Sequence, residues 1–60
     1  MNNFLFEITD GLFEGERFFV QAEGKAEAVE ILDEYFPDVS LQLLGVYTDE
    51  EAEWMGYDTY

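Results

Sequence analysis

The sequence contains no cysteine, no histidine and a single proline, Pro37. Without Cys no disulfide can staple the fold, and without either residue the usual zinc and copper ligands are missing. Positive charge is nearly as scarce. Arg17 and Lys25 stand against fifteen Asp and Glu, a formal net charge of -13 at pH 7. Nucleic acid and anionic membranes carry the same sign, so neither is expected as a direct partner. No run approaches the ~20 apolar residues of a membrane span. Met1-Asn2-Asn3 opens without a basic residue and Glu7 interrupts the apolar stretch that follows, so no signal peptide is expected and the chain is assigned to the cytoplasm.

Catalytic parts are also short. With no His or Cys, the hydroxyls of Thr9, Ser40, Thr48 and Thr59 have no evident general base, and no glycine-rich phosphate loop follows a strand. Paired carboxylates could in principle perform acid-base hydrolysis, but they need a water-excluding cleft that so small a domain has little material to build. The expectation is a protein that is not an enzyme and uses no cofactor. No metal site is expected either, since Asp49-Glu50-Glu51 lacks the alternating ligands and central glycine of a calcium loop.

What is present suits a packed core: 48% hydrophobic and 18% aromatic residues are too many for a disordered acidic tail. Residues 1–60 make one domain, of a size that buries roughly 60% of its unfolded surface. Residues 3–9 alternate Phe4, Phe6 and Ile8 with Leu5, Glu7 and Thr9, the period of a half-buried strand. Turn residues at Asp10-Gly11 and Glu14-Gly15 lead into a second strand, 17–22, with Phe18, Val20 and Ala22 on one side and Arg17, Phe19 and Gln21 on the other. Ala26, Ala28, Val29, Leu32, Tyr35 and Phe36 give a helical stripe over 25–36 that Pro37 ends. A third strand over 39–47 slips register at Leu44-Gly45, which marks a bulge or bend. Thr48 and Glu51 form a capping box for a short helix from Asp49 to about Met55, closed by Gly56.

The predicted fold is therefore α+β: a three-stranded, mainly antiparallel sheet with one packing helix and a short C-terminal helix. A right-handed crossover makes the second and third strands parallel and favours the order 2-1-3, with 1-2-3 as the alternative. The main helix is expected to cover Phe4, Phe6, Ile8, Phe18, Val20, Leu41 and Leu43. The opposite face is left partly open or shielded by the C-terminal segment, with Trp54 closing it.

Two groups of carboxylates are the candidate binding residues. Glu27, Glu30, Asp33 and Glu34 form a ridge on the outward face of the main helix, about 10 Å long at 1.5 Å per residue, with no interspersed cation. Asp49, Glu50, Glu51 and Glu53, with Asp58 beyond them, form the second group. Helix-start chemistry accounts for three of these, and simple solubility accounts for a charged helix face in general. Trp54, Tyr57 and Tyr60, with Tyr47 near them, form an aromatic group that can anchor a cationic partner, Tyr57 and Tyr60 being the candidates and Trp54 favoured for the sheet.

The carboxylate runs Glu27 to Glu34 and Asp49 to Asp58 resemble those of small acidic phage and mobile-element proteins, especially anti-CRISPR and antirestriction proteins that imitate DNA. The ending from Thr48 to Tyr60 is similar to endings of small proteins on conjugative and phage elements. The resemblance implies a basic nucleic-acid-binding partner. A domain about 27 Å across spans a length of duplex holding roughly 16 phosphates, close to this chain's own charge. The expected function is a stoichiometric inhibitor of a basic nucleic-acid-binding effector or nuclease. The alternatives are an immunity or antitoxin protein for one basic toxin, and an acidic accessory domain without specific binding. A homodimer through the open sheet face or an edge strand is a further arrangement the pattern allows.

Overall fold

The computed structural model describes residues 2–60. Its elements follow in the order β1 (Asn2–Ile8), β2 (Arg17–Ala22), α1 (Lys25–Tyr35), β3 (Leu41–Tyr47) and α2 (Asp49–Met55). The sheet runs β2-β1-β3, with both outer strands antiparallel to β1. This is the expected 2-1-3 order. A chain that leaves β2, crosses over through α1 and returns parallel to β2 can pair antiparallel with the far edge of β1, which leaves β1 in the centre.

Register follows the apolar alternation. Phe4 faces Val20 and Phe6 faces Phe18 across β1 and β2, while Ile8 faces Leu41 and Phe6 faces Leu43 across β1 and β3. These side chains share one face of the sheet, where they pack with Ala22 and with Ala28 and Leu32 of α1. Between Leu43 and Gly45 the ladder slips: Phe6 opposes Leu43, Leu5 opposes Gly45, and Leu44 is the extra residue of a β-bulge. Gly45 is small for a reason. A Cβ there would stand 3.1 Å from both Cε2 and the hydroxyl of Tyr47, whose ring lies over the glycine.

The second face is shielded by the C-terminal segment, one of the two expected arrangements, but more completely and by other residues than the sequence reading assigned. Leu5 and Phe19, assigned by alternation to the outward sides of their strands, are 2% and 0% exposed. They form their own cluster with Ala52 of α2, flanked by the half-buried Tyr47 and Tyr57. Tyr47 meets the Phe19 ring edge-on with centroids 6.0 Å apart, and Tyr57 approaches it at 5.9 Å. Fully burying a side chain of this size is worth about 1.5–3 kcal/mol, which a domain this small cannot forgo. Trp54 does not close this face. It projects away from Ala52 and is 90% exposed.

The α1 layer is correspondingly lopsided. The helix packs chiefly on β2, and Leu41 and Leu43 on β3 are only half-buried instead of covered. The helix stops at Tyr35, one residue earlier than predicted, with Phe36 as its C-cap donating its N–H to the Leu32 carbonyl at 2.7 Å.

The last residues have a role that no pattern in them announces. Asp58 to Tyr60 run parallel to β2 as a short outer strand: Phe19 N–H donates to the Asp58 carbonyl at 2.7 Å, Tyr60 N–H to the Phe19 carbonyl at 2.7 Å, and Gln21 N–H to the Tyr60 carbonyl at 3.1 Å. The Tyr60 ring then folds over the edge against Phe18 and Phe36, with centroids 5.3 and 5.6 Å away. At about 1 kcal/mol net per backbone bond, removing residues 58–60 is expected to cost about 3 kcal/mol in urea denaturation. Amide exchange at Phe19 and Gln21 should accelerate together, which distinguishes loss of a strand from loss of a ring contact.

Candidate functional site

The negative groups are built by two helices of different electrostatic character. In α2 the carboxylates support the element that carries them. Thr48 Oγ1 accepts from the Glu51 N–H at 3.2 Å, and Glu51 Oε1 accepts from the Thr48 N–H at 3.0 Å, the reciprocal capping box the sequence predicts. Asp49, Glu50 and Glu51 occupy the first turn, where the helix dipole favours negative charge. Gly56 closes the helix at φ 77°, a left-handed conformation that a residue with a Cβ resists.

Asp49 has a second anchor. The buried Asn3 donates from Nδ2 to Asp49 Oδ1 at 2.7 Å and to the Tyr47 carbonyl at 3.3 Å, pinning the start of α2 to β1. Asp49 and Glu51 are therefore structural as well as negative. Glu50 and Glu53 are exposed and have no such duty to the fold.

α1 is the reverse case. Gly24 caps it without a side-chain bond, Lys25 sits at its positive end, and Asp33 and Glu34 sit in its last turn with no basic residue there. Each such charge opposes the dipole by an amount on the order of 0.3–1 kcal/mol when exposed. Glu27, Glu30, Asp33 and Glu34 are all exposed and lie on the side opposite Ala28 and Leu32, so the ridge exists as read from the sequence. The helix dipole favours Glu27, in the first turn, but gives no account of Glu30, Asp33 and Glu34.

The two groups do not share a surface. α1 rests on the face that carries Phe4, Phe6 and Phe18, and α2 on the face that carries Leu5 and Phe19. Adjacent strand residues point to opposite sides, so the ridge and the α2 cluster flank the sheet from either side. Asp58 lies between them, on the added strand at the β2 edge. The Tyr57 and Tyr60 rings are largely taken up by packing, Tyr57 on Phe19 and Tyr60 among Phe18, Tyr35 and Phe36.

Compensation is slight. Among the described residues the ion pair is Arg17 Nε to Glu7 Oε2, 2.9 Å, directly across the β1–β2 ladder. The Glu7 bond, followed by the neighbouring Tyr57 side chain, raises the Arg17 pKa above its ordinary value, so this cation stays charged at any working pH. Every other carboxylate of the chain is on an exposed residue. Among the described residues no group of three or more Asp and Glu is placed to hold a metal ion, and no helix is long and apolar enough to cross a membrane.

Sequence reasoning placed Trp54 in the C-terminal aromatic group but preferred a role for it in closing the sheet, whereas it is the aromatic that is displayed. Trp54, one turn on from Glu50, lines with Tyr47, Glu51 and Met55 an open hollow of about 280 Å³. Its position on the helix relative to Ala52 was the available clue, because only the residues on the Ala52 side of so short a helix reach the sheet. No family model, no curated protein and no solved structure matches the chain.

Two outcomes are expected in solution. Trp54→Phe should change stability by no more than about 0.5 kcal/mol, as for an exposed site, and Trp54 fluorescence should have the emission maximum of a hydrated indole. Raising ionic strength should raise the melting temperature, because screening weakens repulsion among the carboxylates more than it weakens the Arg17–Glu7 ion pair; a salt titration by calorimetry measures this.

Proposed function

We propose that this chain is a stoichiometric inhibitor that binds a basic nucleic-acid-binding protein, presenting carboxylates where nucleic acid would present phosphates, and that it performs no chemistry itself. The observation that carries the reading is the α1 ridge. Four exposed carboxylates occupy the outward face, two of them in the turn where the helix dipole disfavours them. Like charges three and four residues apart cost a helix a few tenths of a kcal/mol per pair. A surface held against its own repulsion is well matched to a cationic cleft, where the same repulsion turns into attraction and accelerates encounter. A soluble face needs no such one-sidedness, since mixed signs serve solubility equally well.

The exposed Trp54 favours one second reading, an immunity-type protein that plugs a single basic toxin. There the ring would anchor a cationic side chain and the α2 carboxylates would surround it. The two readings part on which face matters.

The test is competition with duplex DNA for binding to RNA-guided and restriction nucleases at low ionic strength. Changing Glu27, Glu30, Asp33 and Glu34 to Gln or Asn should slow association by about 10–10³-fold while leaving the helix slightly more stable, so lost binding cannot be ascribed to unfolding. Unchanged association in that variant would reject the mimic reading. Loss confined to Trp54→Ala, with rescue of cells expressing a basic toxin, would support the plug.

A further inference from the structure

We infer that the outer edge of β3 and the half-covered groove beside it form a docking site for an extended cationic segment of the partner protein, which adds to the sheet as a further strand. The inference rests on the basic-partner reading above and says how that partner is gripped.

The sheet has two outer strands, and they are treated differently. The edge of β2 is closed by Asp58 to Tyr60. On β3, Thr9 N–H donates to the Ser40 carbonyl at 3.0 Å, so by antiparallel alternation Gln42, Gly45 and Tyr47 bond inward to β1. The backbone groups of Leu41, Leu43 and Val46 therefore face outward, and among the described residues no element pairs with them.

Beside that edge lies a trough of about 300 Å³ between α1 and β3, with an apolar floor of Phe6, Leu32, Leu41 and Leu43, Val29 on the helix side, and Lys25 and Asp33 of α1 lining it as well. Val46 and Val29 remain 51% and 40% exposed. Alternate side chains of an added strand would enter this trough, which is how strand addition combines backbone pairing with side-chain selection.

Charge identifies the occupant. β3 carries no charged residue of its own, and Lys25 and Asp33 offset each other within the trough. Asp38 precedes the strand and Asp49, Glu50 and Glu51 follow it, so the uncompensated charge stands at the two ends. A strand of this length spans about 23 Å. The complement is a segment of alternating apolar residues with Arg or Lys at both ends. A second copy of this chain is the poorer fit, since pairing two bodies of net charge -13 edge to edge sets repulsion against every bond gained. The bulge at Leu44 also breaks the regular row that self-pairing prefers.

The test uses the full chain and two synthetic peptides of equal charge, each with arginines at both ends. One has an alternating valine–threonine centre; in the other, prolines replace the threonines. Binding is followed by nuclear magnetic resonance and calorimetry at low ionic strength. The first peptide should bind about tenfold more tightly than the second and shift the amides of Leu41, Leu43 and Val46. Equal affinity, with shifts confined to the exposed residues of α1 and α2, would overturn the strand-addition inference and leave the acidic-binder reading standing. Failure of both peptides to bind would overturn both. A peptide-free chain that sediments as a dimer, with those same amides protected from exchange, would make the occupant a second copy and overturn the inference in its present form.

Discussion

β1 must be dry on both sides, and most of the architecture serves that requirement. Phe4, Phe6 and Ile8 face α1, while Asn3 and Leu5 face α2, and each of these residues is at most 5% exposed. A chain of this size has too little core to leave one sheet face in water. The short helix, the closing tyrosines and the added strand together do for the second face what α1 does for the first. The second face is closed economically, because Ala52 is small enough to bring the α2 backbone close to Phe19 and leaves Tyr47 and Tyr57 to fill the flanks.

The order of elements and their topology were legible in the sequence because each rests on a local rule. Alternation marks the strands, Pro37 ends α1, Thr48 and Glu51 begin α2, and the handedness of one crossover selects the strand order. That the C-terminal segment could shield the second face was legible, but the full burial of Leu5 and Phe19 there was not, and the reason is specific. Alternation records which residues differ from their neighbours, and Phe18-Phe19-Val20 does not alternate in hydrophobicity, so a strand buried on both sides reads as one with an apolar outer face. The strand pairing of Asp58 to Tyr60 is hidden for another reason: it depends on backbone bonds to β2, which any residue except proline at the donor position can make. The α1 ridge, by contrast, was visible from spacing alone, since exposed charge on a helix needs no tertiary information.

Trp54 and Tyr60 show how a small domain separates structural from displayed aromatics. Both are large, both lie near the end of the chain, and neither is fully buried. Tyr60 is nevertheless held by Phe18, Tyr35 and Phe36 around the sheet edge, whereas Trp54 projects from the side of α2 that has nothing to cover. Neighbouring rings, and not fractional exposure alone, distinguish a ring that seals the fold from one offered to solvent.

Placing the two acidic groups on opposite sides of one sheet constrains any partner that uses both. A flat basic surface meets the α1 ridge or the α2 cluster but not the two together, because the sheet lies between them. A cleft that closes around the domain meets one row on each wall, much as a protein that embraces a duplex meets two phosphate strands across a groove. Under the DNA-mimic reading the sandwich therefore favours enveloping channels over open basic faces. Under the strand-addition geometry the chain would enter such a channel with its β3 edge against one lip, since among the described residues no element pairs with the outer side of β3.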